Sequence, residues 1–181
     1  MRIIAGSLRR RTIRVPQGAE VRPTTDRVRE AMFNWLAARL DFEGAQVLDL
    51  FAGSGAIGLE AVSRGAASCT FVEQNRKVAE TIRENATALG VVDRCRIHTA
   101  DALAWCRRSN DSFDLIAADP PYVYDDQQEL LETAAELLSP GGILMLEHGR
   151  RSPEVPADQL LDRRTYGSTV VTYLAAPSPA S

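Results

Sequence analysis

Asp119-Pro120-Pro121-Tyr122 is the stretch whose residue types could do chemistry most directly. It closes the apolar run 113–118, which reads as a buried strand. Two successive prolines fix the backbone and remove two N–H donors. Acceptors are left facing outward: the Asp119 carboxylate and nearby carbonyls. Such a site suits a planar –NH2 group, whose two hydrogens need two acceptors. Tyr122 offers a flat face on which a base can stack. An exocyclic amine on a nucleobase is a poor nucleophile because its lone pair is delocalised into the ring. Holding both N–H bonds turns the nitrogen towards tetrahedral geometry and aims its lone pair at an electrophile, through positioning and electrostatics. The plainer alternative is a rigid loop that only ends a strand.

Val47–Gly58 (VLDLFAGSGAIG) is the second such stretch. It reads as a buried strand, a tight turn through Phe51, Ala52, Gly53, Ser54 and Gly55, and a helix start. Gly53 and Gly55 allow positive φ and close approach to a ligand. The helix behind them points free N–H groups and a positive dipole end over the turn, which suits a carboxylate or a phosphate. By itself this glycine pattern also fits a dinucleotide. Asp49 tilts the choice, because a carboxylate there repels a pyrophosphate and accepts hydrogen bonds from an ammonium. S-adenosyl-L-methionine carries an ammonium, a carboxylate, a ribose and a sulfonium; NAD remains the competing ligand.

The elements around these stretches alternate. A helix is expected to about Arg64, a second strand over Ser68–Val72 ending at Glu73, and a helix capped by Asn75 and stopped by Gly90. A short strand over Arg96–Thr99 follows, then Asp101-Ala102 opening a short helix, the strand 113–118, a helix over Gln128–Leu138, and a strand over Ile143–Glu147 entered through Gly141-Gly142. Arg163–Tyr166 and Ser168–Leu174 read as a closing antiparallel hairpin. Strands alternating with helices imply a doubly wound, mostly parallel sheet. Ligands collect at the carboxyl ends of such strands. Asp49, Glu73, Asp101 and Asp119 each end or follow a different strand, so the pattern gathers four carboxylates on one edge. Glu73 sits where a nucleotide-binding unit places an acid for ribose hydroxyls.

Before this core, Arg2–Ala5 and Arg11–Val15 read as a small hairpin with Ile3, Ile13 and Val15 on its apolar face. Thr25 is a candidate N-cap, and Val28, Ala31, Met32, Trp35 and Leu36 form an apolar helical stripe. The division expected is an arm over 1–21, a domain over 22–174 and a frayed tail over 175–181. Residues 1–29 hold eight arginines against Glu20 and Asp26, a net +6 that leaves −9 on the rest of a chain whose total is −3. That asymmetry suggests a polyanion met by Arg2, Arg9, Arg10, Arg11, Arg14 and Arg22. A merely solvated basic hairpin is the alternative.

At 181 residues, 45% hydrophobic and 25% charged, the composition is that of one globular domain. No apolar run approaches a membrane span and no secretory pattern opens the chain, so a cytoplasmic protein without a membrane partner is expected. Cys69, Cys95 and Cys106 lack metal-type spacing, and His98 and His148 are the only histidines. Idle thiols, no metal site and no Ser-His-Asp triad are the expectations.

The spacing of LDLFAGSG, FVEQN, the acid in TADA and DPPY resembles the class I S-adenosylmethionine-dependent amino-methyltransferases. The RIIAG opening and RPTTDRVREAMFNWL resemble more narrowly the RsmD family, over nearly the whole chain to about Leu174. The resemblance implies a Rossmann-like α/β fold with a seven-stranded sheet, an antiparallel C-terminal hairpin and the N-terminal hairpin as an extension. It implies methylation of the exocyclic N2 of a guanine in bacterial 16S (small-subunit) ribosomal RNA, by a monomer acting on the small subunit or an assembly intermediate. By that resemblance Phe51–Gly55 cradle the methionine moiety beside Asp49, Glu73 holds the ribose, and Gln74, Asp101 and Ala102 surround the adenine. Thr24 and Thr25 lie in the segment that closes over the cofactor. Asp119, Pro120, Pro121 and Tyr122 hold the target base. The segment 150–161, with Pro153 and Pro156, departs from the pattern and is expected to be a loop where relatives have a helix. Two other classes stay open: an adenine-N6 methyltransferase and a non-enzymatic nucleotide-binding module.

Overall fold

The computed structural model describes residues 1–16, 25–121, 123–149 and 153–177. Five strands run parallel: β1 (Gln46–Leu50), β2 (Ser68–Glu73), β3 (Cys95–Thr99), β4 (Phe113–Ala118) and β5 (Leu138–His148). Two antiparallel strands, β6 (Leu160–Tyr166) and β7 (Thr169–Ala175), complete one sheet in the order β3-β2-β1-β4-β5-β7-β6. The order reverses between β1 and β4, and a crevice for a ligand opens at such a point.

Side-chain alternation divides the core between the two faces of this sheet. Val47, Leu115, Ile143 and Tyr173 pack under α1 (Asp26–Ala37), α2 (Ala56–Ser63) and α3 (Arg76–Leu89). Leu48, Ile116, Leu144 and Leu174 pack under α4 (Ala102–Cys106) and α5 (Gln127–Ala135). Trp35 pins α1 to the far edge of the sheet, stacking on Tyr173 at 3.8 Å and donating to Asp162 at 2.7 Å.

Several boundaries differ from the sequence expectation. The expected helix to Leu138 stops at Ala135, and β5 begins at Leu138, before the glycines. Leu138 pairs with Phe113 and Ile143 with Leu115, so residues 139–142 bulge out of the strand, with Gly141 at φ +80°. Residues 153–159 are irregular, as expected for this departure from the family pattern, and residues 160–161 already belong to β6. In α1 the buried side chains are Arg29, Met32, Phe33, Trp35 and Leu36; Val28 and Ala31 are only half-buried, so the face turned inward is rotated from the expected stripe.

The arm doubles back through one antiparallel bridge, Arg2 to Thr12, rather than two paired strands. Ile3 and Ile13 are buried beneath it, whereas Val15, expected on the same face, is 39% exposed. Three polar side chains of the domain hold the arm. Glu60 of α2 accepts from the Ile4 and Ala5 N–H groups at 2.7 and 3.0 Å, and Ser63 Oγ accepts from Leu8 N–H. Asn85 of α3 accepts from the Arg14 N–H and donates to the Arg14 and Ser54 carbonyls. The last bond ties arm, α3 and the turn after β1 into one junction. No helix among the described residues is long and apolar enough to cross a membrane.

Candidate active site

β1 ends by breaking its own conformation. Phe51 follows Leu50 with φ +56°, a left-handed value that costs a non-glycine residue about 1–2 kcal/mol. Its ring is held edge-on by Tyr124 at 5.2 Å. Gly53 and Gly55 also take positive φ, and Gly55 is the N-cap of α2. The three glycines do different work. A Cβ on Gly53 would meet only the Phe51 carbonyl, at 3.8 Å, so its free side faces open space above the turn. A Cβ on Gly55 would press on Ile82, and one on Gly58 would lie 2.4 Å from Cys69 Sγ and from Phe71, so Gly58 sets the close approach of α2 to β2.

The strand ends are laced together around this turn. Ala52 N–H donates to the Val72 carbonyl, and Glu73 receives the Gly53 N–H at 3.1 Å and the Asn75 N–H at 2.8 Å. Asp49, 2% exposed, receives the Gly58 N–H at 2.9 Å. Burial, with the Glu73 charge added, lifts its carboxyl to about 8 against the pull of that hydrogen bond. Ala118, the last residue of β4, lies beside Leu50, which brings Asp119 next to the end of β1. Burial and the charges of Glu147 and Asp49 hold the Asp119 carboxyl well above the usual range.

A cavity opens between these two strand ends. Asp49, Phe51, Ala52, Gly53, Ser54 and Asp119 line it, all of them residues singled out by sequence. Met1, Val15 and Pro16 of the arm close one side, and Arg29 of α1 contributes a buried guanidinium. The other expected residues sit around it. Gly55 is buried in the helix start, Gln74 is exposed, Ala102 is buried, and Asp101 caps α4 through the Ala104 N–H at 2.8 Å. Pro120 is buried and Pro121 exposed, while Thr25 caps α1 through the Val28 N–H. Thr24, Tyr122 and Arg22 lie outside the described residues.

The arm arginines divide. Arg2 pairs with Asp26, Arg14 pairs with Glu84, and Arg11 donates to the Ala88 carbonyl. These contacts are exposed, and exposed pairs contribute little. Arg9 and Arg10 are exposed at the tip of the arm. The cysteines are unpaired thiols; burial pushes Cys95 up to about 11 and Cys106 to about 12, away from the reactive thiolate.

Sequence reasoning passed over Arg29 and Glu147. Arg29 stands three and seven residues before Met32 and Leu36, so it falls on the buried face of α1, and a charge on such a face was the available signal. Glu147 lies near the carboxyl end of β5, as the other acids do on their strands.

A family described as "Conserved hypothetical protein 95" matches residues 1–175. Ribosomal RNA small subunit methyltransferase D of Escherichia coli K12 is 37% identical over 180 residues, covering 94% of this chain and 86% of its own. Bacillus subtilis YlbH, a candidate rRNA methyltransferase, is 36% identical over 179 residues, covering 94% and 96%. Among solved structures, Escherichia coli yhhF superposes with a TM-score of 0.86 at 34% identity, over 98% of this chain and 99% of its own.

Proposed function

Because the chain belongs to this conserved hypothetical protein 95 family, the RsmD family of rRNA methyltransferases, we propose that it methylates the exocyclic N2 of a guanine in bacterial 16S ribosomal RNA. The observation that carries the reading is the single cavity in which Asp49 and the glycine turn of β1 meet Asp119 of β4. The cofactor is S-adenosyl-L-methionine, which supplies a methyl group on a sulfonium. The residues present fit it: Gly53 leaves open space above the turn, and Asp49 is a buried acceptor for an ammonium. A buried carboxyl raised to about 8 ionises when a cation arrives beside it.

The chain's own part in the reaction is to bind, orient and accept a proton. Asp119 and the carbonyls around Pro120 and Pro121 receive the two N–H bonds of the amine, and Tyr122 stacks on the base. A neutral amine attacks a sulfonium methyl directly, so no proton need leave first. Once the amine has taken the methyl group its nitrogen is cationic; a positive charge beside Asp119 favours the ionised carboxylate, which takes the surplus proton. The base must leave its stack to reach this position, so an exposed loop base reacts faster than a paired one. Phosphates flanking it meet the arm, where Arg9 and Arg10 stand exposed. The enzyme works as a cytoplasmic monomer on the small subunit or its assembly intermediate.

Methyl transfer from labelled cofactor to small subunits lacking the modification, followed by mapping, tests the reading. The expected product is N2-methylguanine; N6-methyladenine, or no transfer, overturns it. In the same assay Asp119→Ala should lower single-turnover transfer by about 10²–10³-fold, the scale of losing one preorganised electrostatic partner. Cofactor affinity should change far less. A fully active Asp119→Ala enzyme would sink the mechanism.

A further inference from the structure

Arg29 is 1% exposed and lines the cavity described above. A buried guanidinium normally satisfies its five N–H donors, since each donor left unpaired away from water is costly. Here only Nη2 is engaged, donating to the Arg2 carbonyl and to Asp26 Oδ1 at 3.0 Å. Nε and Nη1 are buried and have no partner among the described residues. They belong to the one cationic side chain, among the described residues, that lines a cavity also holding Asp49 and Asp119. Such a cavity has acceptors for a positive group from β1 and β4, and donors for a negative group from α1.

An α-amino acid end needs that combination: an acid for its ammonium and a cation for its carboxylate. The acids repel the carboxylate, and one of the free N–H groups of the α2 first turn, that of Gly58, is already given to Asp49. We propose that Arg29 receives the carboxylate of the cofactor's amino-acid end, with Asp49 serving the ammonium. The inference rests on the reading of this cavity as the cofactor site. It gives α1 a part in cofactor binding, and it couples that binding to the arm, because the same guanidinium holds the Arg2 carbonyl.

Calorimetry with S-adenosyl-L-methionine and with its decarboxylated analogue tests this on wild type and Arg29→Met. A charged hydrogen bond sets the scale, so wild type should favour the intact cofactor by about 10–100-fold. In Arg29→Met that preference should collapse to within about threefold, with the loss falling on the intact cofactor alone. Equal loss for both ligands would make Arg29 a brace for the arm and overturn the proposal, as would an unchanged preference. Arg29→Gln keeps a donor for the Arg2 carbonyl and carries the same criterion if the methionine variant does not fold. Gly53→Val separates the two readings. If the cavity is not the cofactor site, this variant binds both ligands normally; if only the role of Arg29 is wrong, it still loses both.

Discussion

Asp49→Asn should stabilise the empty protein at high pH and weaken its hold on the cofactor. Asparagine keeps an oxygen that can accept the Gly58 N–H but cannot ionise. In the folded chain the Asp49 carboxyl is lifted from 3.8 to about 8, chiefly by burial and then by the Glu73 charge. That is roughly four pKa units, on the order of 5 kcal/mol for ionising the group within the empty fold. Between these two values the unfolded chain has lost the proton and the folded chain keeps it. The folded state therefore binds more protons, and stability falls as pH rises through this window, levelling once the folded group ionises. Asp119 shares the direction, so the wild-type curve alone does not isolate Asp49. Subtracting the variant's curve does. In urea unfolding, the wild type should lose about 4 kcal/mol relative to Asp49→Asn between pH 5 and pH 8, and little beyond. Cofactor affinity should move the other way, falling about 10–100-fold for a lost charged partner. Parallel stability curves over pH 5–9 would refute the reasoning, since they would mean that ionised Asp49 is already well solvated or paired in the empty fold.

Gly58→Ala should cost about 1–3 kcal/mol by thermal or urea unfolding, because its Cβ would lie 2.4 Å from both Cys69 Sγ and Phe71. Gly53→Val meets no packing clash but strains the backbone at φ +54° by about 1–2 kcal/mol, and should abolish cofactor binding in calorimetry, since its side chain enters open space over the turn. Replacing Arg9 and Arg10 with alanine should lower the salt-dependence slope of RNA binding by roughly 0.7–0.9 for each phosphate that is no longer neutralised, with cofactor affinity unchanged; an identical slope would leave them as ordinary surface charge. Glu60→Ala removes the acceptor of the Ile4 and Ala5 N–H groups and of Arg64, and should cost about 3–5 kcal/mol, read by unfolding.

The parts of the protein legible in its sequence are those set by local spacing. Alternating apolar residues and turn glycines marked β1 to β4 within a residue, because pleat period and positive φ are properties of a few consecutive residues. The VLDLFAGSG and DPPY stretches stand out for the same reason, and the fold brings Asp49, the glycine turn and Asp119 to one cavity. Tertiary structure decided the rest. Arg29 reads locally as one more arginine of a basic segment; only the fold brings its buried guanidinium to the cavity lined by Asp49 and Asp119. The arm reads as a basic hairpin with an apolar face, but its own sequence does not show that Glu60 and Asn85, more than 50 residues away along the chain, fasten it to the domain. β5 starts before the glycines expected to open it because a strand can carry a four-residue bulge through Ser139–Gly142 when β4 supplies partners on both sides of it. Asp49 shows the division within one residue. Its position at a strand end is written in the sequence, but its raised carboxyl is not, because desolvation depends on what the whole fold packs around the group and on how near it brings Glu73.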